Sequence, residues 1–164
     1  MISDKIEAVR WIDLWHNQVN FLSEEHPFPT PAVFLSFRIL GTQDQGLKVQ
    51  QLRLQVDAYL FYETMADTYR GSWNQGSALE FLEMLNDVFA LLHGSSGTNY
   101  SEMRRTGFAP VDTGGAGNLY VQNFECVLVD YAAQVQYRDG AVGGIDVVNE
   151  KGPEAEASEP LFRI

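Results

Sequence analysis

The sequence predicts an α+β fold: a four-stranded sheet, antiparallel or mixed, with two helices packed on one face, in the order α-β-β-α-β-β. Two observations carry this. Apolar residues recur at three- and four-residue spacing in two segments, and they alternate with polar residues in long aromatic and β-branched segments. Short polar turns join the alternating segments in pairs, so helices interleave with hairpins, and helices of this kind bury their stripes on a shared sheet.

The first helix is expected over Asp4 to Leu22. Ser3 is placed to cap it, with Asp4 and Glu7 in the first turn, where the helix dipole favours negative charge. Ala8, Trp11, Ile12, Trp15, Val19 and Leu22 form its apolar stripe. Three prolines in His26-Pro27-Phe28-Pro29-Thr30-Pro31 end it. Ala32 to Leu40 (AVFLSFRIL) is short, β-branched and aromatic, which suits a buried strand. Gly41 to Gly46 reads as a polar turn. Lys48 to Tyr62 alternates, with Val49, Leu52, Leu54, Val56, Ala58 and Leu60 mostly on one face and Arg53, Gln55, Asp57 and Tyr59 on the other.

Glu63 to Gly76 reads as a long loop. The second helix is expected to open with a capping box, Ser77 and Glu80, ahead of a stripe of Ala78, Phe81, Leu82, Leu85, Val88, Phe89 and Leu92. Gly94 stands where a left-handed terminator belongs. Tyr100 to Val111 reads as a strand interrupted by Gly107 and Pro110, and Asp112 to Gly117 (DTGGAG) as a turn. Asn118 to Tyr131, extending toward Tyr137, reads as the last strand. One domain then spans residues 1–137. Residues 138–164 turn rich in Gly, Glu and Ala, and form a flexible tail or an arm that orders against a neighbour through Leu161-Phe162-Arg163-Ile164.

The 164 residues carry a net charge of −11, with 45% apolar residues, so a sizeable core is available to one domain. No basic stripe is present to neutralise phosphates, so sequence-specific nucleic-acid binding is not expected. The N-terminus lacks a basic segment followed by an apolar one, and the apolar runs are too short to span a bilayer; neither a signal peptide nor membrane association is expected. The lone Cys126 precludes an intramolecular disulfide.

No catalytic, metal-binding or cofactor-binding set is legible. His16, His26 and His93 are far apart, with no second ligand at metal spacing. Gly94-Ser95-Ser96-Gly97 follows a helix and lacks the flanking glycines of a nucleophile elbow. Cys126 sits among apolar strand residues, with no cationic neighbour to activate it. DTGGAG does not open a helix, so it is no phosphate loop. Its Asp112-Thr113-Gly114 triplet matches the aspartic-protease motif, but that chemistry needs a second carboxylate in a β-rich frame that the pattern does not supply.

The candidate functional residues belong to surfaces. Met65, Tyr69, Arg70 and Trp73 place bulky groups in the loop before the second helix, and Tyr, Trp and Arg dominate interface hot spots. The alternative is that Tyr69 and Trp73 fold back over one end of the core. Met103, Arg104 and Arg105 include the chain's adjacent basic pair, available to a neighbour's acids or to solvent.

In this order of elements the chain resembles the bacteriophage tail-terminator, or tail-completion, proteins of long-tailed phages and prophages, over residues 1–137. The resemblance rests on WIDLWHNQ (Trp11 to Gln18) read as a helix with a late Gln, and on PFPTPAVFLSF (Pro27 to Phe37) entering the first strand. It rests also on QQLRLQVDAYLF, and on FECVLVDYAAQ (Phe124 to Gln134) closing the last strand. It implies a non-enzymatic structural protein that forms a ring, usually of six subunits. The ring ends tail-tube polymerisation and joins the tail to the head or neck. Its partners are then copies of itself, the tail-tube protein and a head-completion or neck protein. It assembles in the host cytoplasm and resides in the virion tail, with DNA passing through. The ring would line that channel with acidic residues; a lumen of Lys and Arg contradicts this. The strands overhanging the helices and the Tyr69–Trp73 loop are the expected subunit contacts. The alternatives are another neck or baseplate module, or a small enzyme or ligand-binding domain with a dispersed site.

Overall fold

Two runs in the chain are apolar on consecutive residues, Ala32-Val33-Phe34-Leu35 and Tyr59-Leu60-Phe61-Tyr62, and consecutive strand residues face opposite ways. A sheet built from them needs cover on both faces. The computed structural model, which describes residues 2–22, 27–62, 68–114 and 117–134, supplies that cover with one long helix and a wrapped N-terminal segment.

The elements in chain order are a single turn α1 (Ile2–Lys5), β1 (Trp11–Leu14), a 3-10 turn (Gln18–Phe21), β2 (Ala32–Gly46), β3 (Val49–Tyr62), α2 (Gln75–Leu92), β4 (Arg104–Val111) and β5 (Asn118–Asp130). The sheet is mixed and five-stranded, in the order β1-β2-β3-β5-β4. Only β1 is parallel to its neighbour, pairing Trp11–Leu14 with Ala32–Leu35. The expected four-stranded sheet under two helices is therefore corrected to five strands and one long helix.

The error lies in Asp4 to Leu22. Asn17, at φ 70°, breaks any helix through this segment. Its apolar residues divide between two faces, which a helical stripe cannot do. Ile6, Val9 and Ile12 join the core beneath α2, whereas Trp11, Trp15, Val19 and Leu22 reach the opposite face. Gln18 is buried and holds the bend. Its Nε2 donates to the Leu14 carbonyl at 3.0 Å, and its Oε1 accepts the His16 N–H at 3.0 Å.

On the first face Phe81, Met84, Leu85 and Val88 of α2 lie over Val33, Val56, Ala58, Leu60 and Phe124. Burying each large side chain contributes roughly 1.5–3 kcal/mol. On the second face Trp15 stacks on Tyr59 with ring centroids 4.1 Å apart, and Phe28 meets Phe34 edge-on at 5.1 Å. Such pairs add about 0.5–1.5 kcal/mol beyond burial. Ala32, Phe34, Phe61 and Leu119 complete this smaller core.

Three further boundaries move. Gly41 to Gly46 continues β2 rather than turning, and the turn is Leu47-Lys48, both at positive φ (51° and 61°). Helix α2 starts two residues before Ser77, and the box of Ser77 and Glu80 does not form its cap. Asn74 holds the N-cap position without a side-chain bond, while the Gln75 side chain accepts the Gly71 N–H at 2.7 Å. Strand β4 covers only Arg104–Val111, with Tyr100 making an isolated bridge to Leu128. Gly94 does adopt the left-handed conformation after α2, at φ 78°. Residues 135–164, and with them the proposed tail, lie outside the described residues. Among the described residues no helix is long and apolar enough to cross a membrane.

Gln122 is fully buried beneath α2, where its Nε2 donates to the Leu85 carbonyl at 2.7 Å and its Oε1 has no partner. Gln122→Ala leaves a cavity and should cost on the order of 2–3 kcal/mol. Gln122→Leu keeps the volume, removes the orphaned acceptor and should stay within about 1 kcal/mol of the parent. Urea unfolding of the two variants checks this order. The Leu47-Lys48 turn places two side chains where Asn-Gly is preferred. The pair Leu47→Asn and Lys48→Gly should therefore raise stability by roughly 1 kcal/mol, read as a higher urea midpoint.

Candidate functional surfaces

The 15 residues of β2 extend about 50 Å, whereas the 18 residues of α2 extend about 27 Å. One helix cannot cover that hairpin. Among the described residues the distal part of β2, and the sheet face opposite α2 beyond Trp15 and Tyr59, are left open.

That open face carries a polar chain across three strands. Arg38 on β2 donates from Nη2 to the Gln55 Oε1 at 2.9 Å, and Gln55 donates from Nε2 to the Asp57 Oδ1 at 2.7 Å. Asn123 on β5 donates to the same Asp57 oxygen. Strand register sets Ser36, Asp57, Asn123 and Gly107 side by side. A Cβ on Gly107 would lie 2.6 Å from the Asn123 amide oxygen, so this row needs a glycine. Burial pushes the Tyr59 phenol up, the Asp57 charge adds to that, and Arg38 opposes it. A carboxylate held by two amides fixes strand register; the network includes no nucleophile and no second carboxylate.

The residues singled out for chemistry are engaged structurally. His93 Nδ1 accepts the Arg105 N–H at 3.1 Å, tying the end of α2 to β4. Cys126 is buried on the α2 side of β5, and burial pushes its thiol up, away from the reactive thiolate. Asp112 Oδ1 accepts the Gly114 N–H at 2.9 Å, and Thr113 Oγ1 donates to the Gly117 carbonyl at 2.9 Å, which closes the β4–β5 turn. Among the described residues no three His, Cys, Asp or Glu side chains converge as metal ligands. An open cleft of about 500 Å³ lies where the β2–β3 hairpin meets the end of β5, lined by Asp44, Gly46, Lys48, Val49, Gln50, Asp130 and Ala133. Gln50 Nε2 already donates to Asp44 Oδ1 across it, at 2.8 Å.

The surface residues expected from sequence separate. Met65 lies outside the described residues. Trp73 is 98% exposed and Tyr69 66% exposed, so neither covers the core. Arg70 lines an open cleft of about 310 Å³ with Leu79, Leu82 and Tyr120. Met103 turns inward: it packs against the core under α2, and its backbone bonds both Gly94 and Ser95 at 2.8 Å. Arg104 and Arg105 are neighbours on a strand and so point to opposite faces. Arg105 lies 3.7 Å from the centre of the Phe89 ring, on the helix side. Arg104 stands opposite Glu125, on the open face.

The sequence reading missed a set of half-exposed apolar residues. Phe37 and Ile39 (each 55% exposed) and Leu14 (61%) flank α2 on the β2 side. Phe108 (49%) stacks on Tyr120 on the β4 side, at 5.3 Å. The length mismatch between hairpin and helix was the signal that could have found them, had the turn been placed at Leu47.

Because Trp73 touches almost nothing, Trp73→Ala should change unfolding free energy by less than about 0.5 kcal/mol. Thermal and urea unfolding check this, and a larger loss would make the residue structural. No protein-family model matches the chain and no curated protein matches it, so the reading of its function rests on these surfaces and on the sequence resemblance.

Proposed function

We propose that this chain is a structural tail protein of a phage or prophage, one that forms a ring ending tail-tube polymerisation and joins the tail to the head or neck. The observation that carries the reading is the pair of unlike open sides. A closed ring needs a heterologous contact, in which two different patches of one subunit meet around the circle. The subunit has such patches: Leu14, Phe37 and Ile39 on the β1–β2 side, and Phe108 with Leu79 and Leu82 on the β4 side.

Three of the four segments quoted for the resemblance lie in strands β2, β3 and β5, as that reading expects. The fourth, Trp11 to Gln18, does not, because it forms β1 and a bend instead of a helix. In this reading the role is not catalytic, the partners are the tail-tube protein and a head-completion or neck protein, and assembly takes place in the host cytoplasm. Tyr69 and Trp73 then serve as contact residues outside the core.

Negative-stain electron microscopy of the full chain, alone and mixed with tail tubes from the same source, tests the reading. Rings capping one tube end are expected. Tubes that continue to lengthen in its presence, with no cap, contradict it.

A further inference from the structure

We propose that the free edge of β2 beyond Leu35 receives β4 of a second copy, joining copies head to tail through one continuous sheet. The inference deepens the ring reading and rests on it. Strand β1 occupies the outer edge of β2 only at Ala32–Leu35, so Ser36 to Gly46 presents unpaired backbone there among the described residues. Among the described residues the outer edge of β4 is unpaired beyond Arg105, whose N–H is held by His93. Exposed edges of this kind template pairing with another chain.

Four features select a second copy as the occupant. The first is polarity. Strand β2 is antiparallel to β3, β3 to β5 and β5 to β4, so β2 and β4 run in opposite directions. A cyclic operation preserves orientation and lays β4 antiparallel on its neighbour's β2, the more stable pairing. The second is the apolar match: Phe37 and Ile39 on β2 and Phe108 on β4 all lie on the α2 side, and a continuous sheet keeps that side common to both copies. The third is charge. With Phe108 set opposite Ile39, Arg105 falls near Thr42 and Asp44 on the α2 side, placing a cation next to the acid of β2. The fourth is stagger. Within one subunit Phe108 stands level with Leu35, through Gln122 and Ala58, so meeting Ile39 requires an offset of about 13 Å along the strands. That offset clears β1, and a closed ring accommodates it by tilting the strands. Pro110, without an N–H, ends the paired stretch near Phe37.

Two full-length variants test the junction: Phe37→Glu with Ile39→Glu on β2, and Phe108→Glu on β4. The parent at high concentration should show species above the monomer by mass photometry after cross-linking. Each variant, checked for folding by circular dichroism, should lose all of them. An equimolar mixture should regain dimers and nothing larger, because one intact junction survives per pair. As a second measurement, Ile39→Cys with Phe108→Cys in a Cys126→Ala background should give an intermolecular disulfide ladder on oxidation. No ladder, or a mixture that stays monomeric, overturns the proposal. Rings that persist in either folded variant also overturn it but leave the ring reading standing. A parent that is monomeric at every concentration, and caps no tubes, removes both.

Discussion

Strand β3 is apolar on both faces at its C-terminal end, and the rest of the molecule follows from that. Ala58 and Leu60 face α2, while Tyr59 and Phe61 face the other way. With a single long helix among the described residues, the second face is covered by chain that crosses the sheet edge. The N-terminal segment does this. It enters beneath α2 with Ile6 and Val9, pairs along β2 as β1, and emerges opposite to stack Trp15 on Tyr59. The bend at Gln18 and the rigid proline entry into β2 hold that path in place.

Much of the sheet was legible because its strands obey period two. Strands β3 and β5 fall within a residue or two of expectation, and Phe81, Leu85 and Val88 of the expected α2 stripe are buried, whereas Leu82 is half-exposed and Met84 takes a place in the core. The N-terminal segment was not legible, because Trp11, Ile12, Trp15 and Val19 satisfy a helical period as well as a strand followed by a bend. What decides between them is tertiary: the need to bury Trp11 and Trp15 on the far face while Ile12 stays on the near one. The runs Ala32–Leu35 and Tyr59–Tyr62 carried that information, since consecutive apolar residues signal a strand covered on both faces. The β2–β3 turn escaped for another reason. Leu47 and Lys48 adopt a left-handed geometry that their side chains do not advertise, whereas Gly41 and Gly46 advertise a turn that only partly forms. Of the candidate surface residues, Tyr69, Arg70, Trp73, Arg104 and Arg105 are exposed. Met103 is not, because an apolar residue beside a basic pair can as readily face the core.

Covering one end of a long hairpin leaves the other end open, and that division organises the molecule's surface. The covered end holds both cores and the buried Gln122. The open end holds the Arg38–Gln55–Asp57–Asn123 chain, which holds three strands in register without an apolar lid. Register matters there because a slip of one residue would exchange the apolar and polar faces.

The most direct measurement of this account is the backbone conformation of residues 4–22 in solution by NMR. Extended Cα shifts over Trp11–Leu14, with cross-strand contacts from Trp11 to Ala32 and from Leu14 to Leu35, are the expected result. Continuous helical shifts from Asp4 to Leu22 would contradict it, because the second face of the sheet would then lose the cover that Trp11, Trp15 and Val19 give it.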